Sequence, residues 1–284
     1  MSGETGTGKT SLLSLLANIL VGNKPEEFIN FNDGGLEAGG GSKHSQTNDA
    51  KVYPFKSRNG IKFTILDTPG LADTRGLQQD KQHKASIAKA IKENIATVNA
   101  VIILANGTQP RLGTATDYVL STLSAIFPRT LADNIGILFT NVSSTLDFNF
   151  DPQSLPPVLR DREDNRWFIN NPLAMWNRYK EKQRQQTAST RRLQSSLLNA
   201  IHAAYRNTLE ELCSMFDWLD DRDPQPTMGI WQLYEQSQTI EKDIENAMSY
   251  ALQMSEKKKQ VQAIRQAAEG NESVCPPTID RTGF

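Results

Sequence analysis

The chain has 284 residues, with 31 Lys and Arg against 32 Asp and Glu and a formal net charge of −1, a balance that argues against general nucleic-acid binding. Its two cysteines, Cys213 and Cys275, provide neither a disulfide framework nor a zinc site. An apolar content of 38%, a mean hydropathy of −0.50 and the lack of any apolar run of about 18 residues exclude a visible membrane span; the length suits one α/β domain of about 200 residues plus solvated helix.

The chain opens MSGETGTGKTS, with no basic-then-apolar leader, so a reducing, cytoplasmic setting is expected. These residues contain Gly3-x-x-x-x-Gly8-Lys9-Thr10, the phosphate-binding P-loop pattern. Gly3, Gly6 and Gly8 let the backbone curl so that N–H groups point at phosphate oxygens. Glu4, Thr5, Thr7 and Ser11 complete the expected nucleotide-binding loop. Lys9 places a positive charge at the β- and γ-phosphates, and the Thr10 hydroxyl suits a Mg²⁺ ion. The apolar run Leu12, Leu13, Leu15, Leu16, Ile19 and Leu20 predicts a helix whose N-terminus lies under the phosphates. A P-loop should follow a buried strand, and only Met1 and Ser2 precede Gly3. The first strand is therefore expected to be missing, or its slot filled by another segment.

Residues 22–50 are rich in Gly, Asn, Ser and Asp and predict a long loop. In P-loop GTPases the first switch lies here and brings a Thr hydroxyl to Mg²⁺ and the γ-phosphate. Thr47 is the candidate, with Ser45 behind it; His44 is read as an exposed loop histidine. Segments 51–57 and 61–67, joined by Arg58-Asn59-Gly60, predict a β-hairpin. Its second strand ends in Asp67-Thr68-Pro69-Gly70. Asp67 is placed to hold Mg²⁺ through water, and Gly70 to offer its N–H to the γ-phosphate.

DTPGLAD and GETGTGKTS together resemble the GTPase branch that holds septins, immunity-associated (avirulence-induced type) GTPases and plastid Toc receptors. LFTNVSSTLDFNF, FINNPLAMWNRYKEK and FDWLDDRDPQPT are similar to fungal G-domain proteins of that branch, and the resemblance spans roughly residues 1–245. It implies GTP and GDP as ligands, Mg²⁺ as cofactor, and slow turnover or activation by a homodimer across the nucleotide face. Leu71 follows Gly70, where Ras-like enzymes carry a water-orienting Gln. Arg111, in NGTQPRLG, falls near the box that supplies a trans arginine in some immunity-associated relatives. An ordinary surface arginine is the competing reading.

Further along, 84–96 predicts a helix, 98–105 a strand buried on both faces, 114–127 a helix and 134–140 a strand. The alternation predicts a doubly wound, mostly parallel sheet. The strand at 134–140 should deliver the guanine-reading N-K-x-D, but the chain reads Thr140-Asn141-Val142-Ser143, and Asp147 comes too late. Asn141 is the candidate base contact, and the charge-assisted pair that rejects adenine is absent. RWFIN (166–170) predicts another strand. Asn170 and Asn171 are read as lying by the base, with a helix N-cap ahead of Pro172 as the competing reading of Asn171. From Pro172 to Asp220 the chain should be helical. Arg178, Lys180, Lys182, Arg184, Arg191 and Arg192 make a solvated face, or one for an acidic partner or membrane surface. An apolar stripe from Leu193 to Leu219 should pack on the sheet, with His202 and Cys213 structural.

DDRDPQPTMG (220–229) reads as a breaker. The expected division is a P-loop G domain over 1–220, a helical extension over 230–269 and a disordered tail over 270–284. The extension repeats apolar or small residues at heptad spacing. It either folds back on the G domain or forms a coiled coil, and it offers a surface for a protein partner. The expected activity is Mg²⁺-dependent GTP binding with slow hydrolysis, acting as a switch. The alternatives are a non-hydrolysing scaffold or dimerisation module, and an ATP-binding P-loop NTPase of another class.

Overall fold

The computed structural model describes residues 1–3, 7–30, 50–68, 77–110, 129–155, 157–160, 162–184 and 188–272. The predicted helix at 114–127 lies outside them. In chain order the elements are β1 (Ser2–Gly3), α1 (Lys9–Val21), β2 (Lys51–Lys56), β3 (Lys62–Asp67), α2 (Leu77–Asn94), β4 (Thr97–Val98), β5 (Val101–Asn106), β6 (Ile135–Thr140), α3 (Pro157–Arg160), β7 (Arg166–Ile169), α4 (Pro172–Arg184), α5 (Ala188–Asp220), β8 (Gln225–Pro226) and α6 (Met228–Glu272). The chain divides into two compact units, Met1–Tyr234 and Glu235–Phe284.

The first unit is organised by a parallel sheet in the order β1-β5-β6-β7. Its central strands read VIILAN and IGILFT, apolar on both faces, as strands covered by helices on both sides must be. Side chains alternate across the sheet. Val101, Ile103, Ile137 and Phe139 meet Ile87 and Ile91 of α2, Leu159 of α3 and Ile230. Ile102, Leu104, Leu138, Trp167 and Ile169 meet Leu12, Leu15 and Leu16 of α1, Leu173 of α4, and Leu212, Met215 and Trp218 of α5. With a P-loop sequence joining the first strand to α1, this is the doubly wound P-loop NTPase fold. Gly136 is required by the close packing: a Cβ there would sit 2.5 Å from Cζ3 of Trp167.

The first strand is shorter than a buried strand but not missing. Ser2 and Gly3 pair in register with Ile103 and Leu104 of β5. On the other side the Met1 amino group donates to the Leu66 carbonyl at 2.7 Å. The Thr68 hydroxyl donates to the Met1 carbonyl at 2.9 Å. The β2–β3 hairpin thus lies beside β1, and among the described residues no other segment fills the slot. Gly60, at φ 86, makes the predicted hairpin turn.

Two boundaries differ from expectation. The helix predicted from Pro172 to Asp220 is two helices, α4 and α5. The 220–229 breaker holds β8, which pairs antiparallel with β4; the Thr227 hydroxyl donates to the Ala96 carbonyl at 3.1 Å. At the open edge of the sheet, Glu211 of α5 accepts the Phe168 N–H at 3.0 Å, closing an otherwise unpaired donor.

The second unit is the continuation of α6, which is helical to Glu272, three residues into the predicted tail; residues 273–284 lie outside the described set. Ile240, Ile244, Met248, Tyr250, Leu252, Met254, Val261 and Ile264 are exposed along it. Among the described residues, no helix is long and apolar enough to cross a membrane.

Candidate nucleotide site

In an open α/β sheet, ligands bind outside the carboxyl ends of the strands. Here the ends of β1, β3, β5 and β6 bring together most of the sequence-predicted residues that the structure describes. Gly8 follows the P-loop as the N-cap of α1, at φ 89 and ψ 23. Only glycine adopts that left-handed backbone without cost, so the conformation that starts the helix rests on this residue. Lys9 opens α1 and is 6% exposed, and Thr7 is also buried. Ser11, one turn further, accepts a hydrogen bond from Asn171 Nδ2 at 2.9 Å. Asn171 Oδ1 in turn takes the Leu173 and Ala174 N–H groups. Asn171 is therefore the N-cap of α4, tying that helix to the start of α1.

Asp67 ends β3 at 1% exposure. Thr10 Oγ1 lies 3.4 Å from its Oδ2, while its Oδ1 has no hydrogen-bond partner among the described residues. Burial pushes this carboxyl above its ordinary range, opposed by the positive charges of the Met1 amino group and Lys9 and by hydrogen bonds from the Thr10 hydroxyl and the Thr68 backbone. A buried carboxylate oxygen without a partner beside a hydroxyl is costly in isolation. The pair is a hard, all-oxygen donor set, the kind a Mg²⁺ ion takes while keeping several waters. The residues present fit that ion.

The loop after α1 is anchored by Asn18, which is fully buried. Its carboxamide donates to the Ile29 carbonyl at 2.8 Å and accepts the Ile29 N–H at 2.9 Å. This fixes where the predicted first switch departs. Thr47, Ser45 and His44 themselves lie outside the described residues, as do Glu4, Thr5, Gly6, Gly70, Leu71 and Arg111.

At the far end, Asn141 follows β6 at φ 64, a left-handed conformation that Asn tolerates better than most residues. Its Nδ2 lies 3.3 Å from Asn106 Oδ1, which also accepts from the Thr108 hydroxyl at 2.9 Å. Asp147 folds back on its own loop, taking the Ser143 and Ser144 N–H groups at 2.8 Å each. Desolvation pushes its carboxyl up, but these donors together outweigh it and hold the group below its ordinary range. Both oxygens are thus committed to backbone. Nothing local in the sequence marks the Asn171–Ser11 link, whereas Asn106, an Asn closing the apolar strand VIILAN, carries a sequence signal of its own.

No family model matches the chain, and no curated relative does either. Among solved structures it is similar to a dimerisation-deficient mutant of Toc33 from Arabidopsis thaliana, with a TM-score of 0.40, 14% identity, and coverage of 60% of this chain and 68% of that one. Similarity to Toc33 in complex with GDP and Mg²⁺ has a TM-score of 0.38 at the same identity and coverage. Likeness at this level decides neither fold nor function; the P-loop and the sheet do that work for the fold.

Proposed function

We propose that the chain is a Mg²⁺-dependent guanine-nucleotide-binding protein with slow GTP hydrolysis, working as a switch in a cytoplasmic setting. The observation that carries this reading is the buried Asp67 carboxylate, one oxygen unpartnered, beside Thr10 at the start of the P-loop helix. Structural carboxylates are paired; one held ready at the end of a strand next to a P-loop serves a ligand.

In this reading the N–H groups of the Gly3–Thr10 loop cradle the phosphates and Lys9 neutralises their charge. Thr10 and Thr47 hold the ion directly and Asp67 holds it through water. When bound, Mg²⁺ supplies charge neutralisation on the β- and γ-phosphate oxygens. Gly70 donates its N–H to the γ-phosphate. With Leu71 in place of a water-orienting Gln, positioning alone drives hydrolysis, and turnover is slow. Arg111 contributes across a homodimer formed at the nucleotide face.

Titration of fluorescent GDP and ADP, with and without Mg²⁺, tests the reading, with Lys9→Ala as control. Tight Mg²⁺-dependent GDP binding that Lys9→Ala weakens by roughly ten- to a hundredfold is expected. No binding of either nucleotide by folded protein defeats it. One observation favours a second reading. With both Asp147 oxygens held by backbone, the described residues after β6 offer no free carboxylate to pair with the guanine N1–H and amine. Equal affinity for GDP and ADP would make the chain a base-indifferent P-loop NTPase instead.

A further inference from the structure

We propose that the exposed part of α6 docks antiparallel on the same segment of a second copy of this chain. The argument starts from charge. Residues 235–245 carry four acids, Glu235, Glu241, Asp243 and Glu245, against one base, Lys242. Residues 246–255 carry no charge, and 256–265 carry four bases, Lys257, Lys258, Lys259 and Arg265, against one acid, Glu256. The helix is acidic, neutral and basic in turn.

Within one helix Asp243 and Lys257 cannot pair with each other. Asp243 and Lys257 are separated by about 21 Å along the axis at 1.5 Å per residue, and side chains on a helix meet three or four positions apart. Nor does the helix dipole account for the order. The helix begins at Met228, the acids at 241–245 lie more than three turns in, and the dipole acts within the first turn.

The apolar seam points the same way. Ile240, Ala247, Met254 and Val261 recur every seven residues, as do Ser237, Ile244, Ala251 and Lys258. Ile240, Ile244, Met254 and Val261 are 58, 52, 70 and 64% exposed. An antiparallel second copy centred on the neutral block sets Ala247 against Ala251, Ile244 against Met254 and Ser237 against Val261. Ile240 then meets the aliphatic stem of Lys258, whose ammonium reaches water. Asp243 flanks the seam opposite Lys257 of the second copy, twice by symmetry, and each acidic block faces a basic one. A parallel second copy instead sets Lys258 against Lys258 in the seam and stacks like blocks on each other. Charge complementarity therefore commits the face to its own antiparallel copy.

The full chain, freed of nucleotide with EDTA, is followed by sedimentation velocity. A dimer that weakens as salt rises is expected. Asp243→Lys and Lys257→Asp should each raise the dissociation constant roughly tenfold, since two attractive pairs become repulsive. The double variant with the charges exchanged should return it to near the starting value. Cross-linking fixes the direction in chains carrying Cys213→Ser and Cys275→Ser. A mixture of Ala247→Cys and Ala251→Cys chains should form a disulfide-linked heterodimer, and Ile240→Cys chains should not link to themselves. A monomer at tens of micromolar, single charge variants without effect, a double variant weaker than either single, or self-linked Ile240→Cys chains would each overturn the proposal. These readouts involve no residue of the nucleotide site, so they stand or fall separately from it.

Discussion

Asp67 ends β3 and Asp147 lies in the loop after β6, and their surroundings are opposites. Asp67 is buried, with one oxygen unpartnered and its carboxyl pushed up by desolvation. Asp147 is exposed, holds two backbone N–H groups and has its carboxyl lowered by them. The first carries a desolvation cost that the Met1 amino group, Lys9 and Thr10 offset only in part; the second is already satisfied by its own loop. A residue's chemistry therefore says less than the partners it is given. In the proposed reading, the phosphate end is arranged to receive a ligand, while at the base end the Asp147 carboxylate is spent on structure.

The largest effect that would break this contrast is at Lys9. Lys9→Ala removes the charge that faces the phosphates, and charge-assisted contacts of this kind are worth about 1.5–3 kcal/mol each. Nucleotide affinity should fall by roughly ten- to a hundredfold. Unchanged GDP affinity in a fluorescence titration would mean that the phosphates bind elsewhere.

Asp67→Asn comes next and should move two quantities in opposite directions. The Mg²⁺-dependent part of nucleotide affinity should vanish, because a carboxamide is a poor outer ligand for the hydrated ion. The ligand-free protein should become more stable at neutral pH, since the variant buries no charge. The sign follows from the raised carboxyl. A group held above its ordinary 3.8 in the native state binds protons more tightly folded than unfolded. Its destabilising contribution is absent below 3.8 and is fully present above the native value. The variant should match the parent in acid and melt higher at pH 7. A gain of about 1 kcal/mol corresponds to roughly 2–4 °C for a domain of this size. Thermal melts in EDTA from pH 3 to 8 check this; a variant that melts lower throughout would show that Asp67 is a structural carboxylate.

Much of this was legible in the sequence where spacing and chemistry agree. The helix that starts at Gly8-Lys9, the Asn-Gly hairpin turn and the double apolar runs of β5 and β6 each have a local cause, and each formed where expected. Asp67 was readable because an acid closing the strand KFTILD before Thr-Pro-Gly, downstream of a P-loop, stands where a Mg²⁺ contact is placed. The division of the helix after Pro172 was not, because the apolar stripe of α5 continues the pattern of α4 without a Gly or Pro between them. The pairing of β8 with β4 was hidden for another reason: two-residue strands rest on long-range partners, here Thr97 with Pro226, and have no periodicity of their own. The hydrogen bonds that occupy Asp147 were equally out of view, since they depend on how the Ser143–Asp147 loop turns back.

At the base end the expected effects are smaller. Asp147→Ala leaves the Ser143 and Ser144 N–H groups to water, which replaces most of what is lost at an exposed loop, so the cost should be up to about 1 kcal/mol. Because the native carboxyl is lowered, that cost should be present above pH 3.8 and fade as pH falls through the native value. The ratio of GDP to ADP affinity should not change. A selective loss of GDP binding would make Asp147 a base ligand and remove the contrast with Asp67.

Asn141→Gly is the finest test. The backbone at φ 64 favours glycine over asparagine by a fraction of about 1 kcal/mol, and the bond lost to Asn106, at 3.3 Å, is long. Stability should therefore change little. Any change in binding then reports on the carboxamide itself. If GDP affinity falls severalfold while ADP affinity holds, Asn141 reads the base and guanine selectivity is achieved without a carboxylate. If both nucleotides are unaffected, the base end contributes backbone shape alone, and the phosphate end carries the affinity.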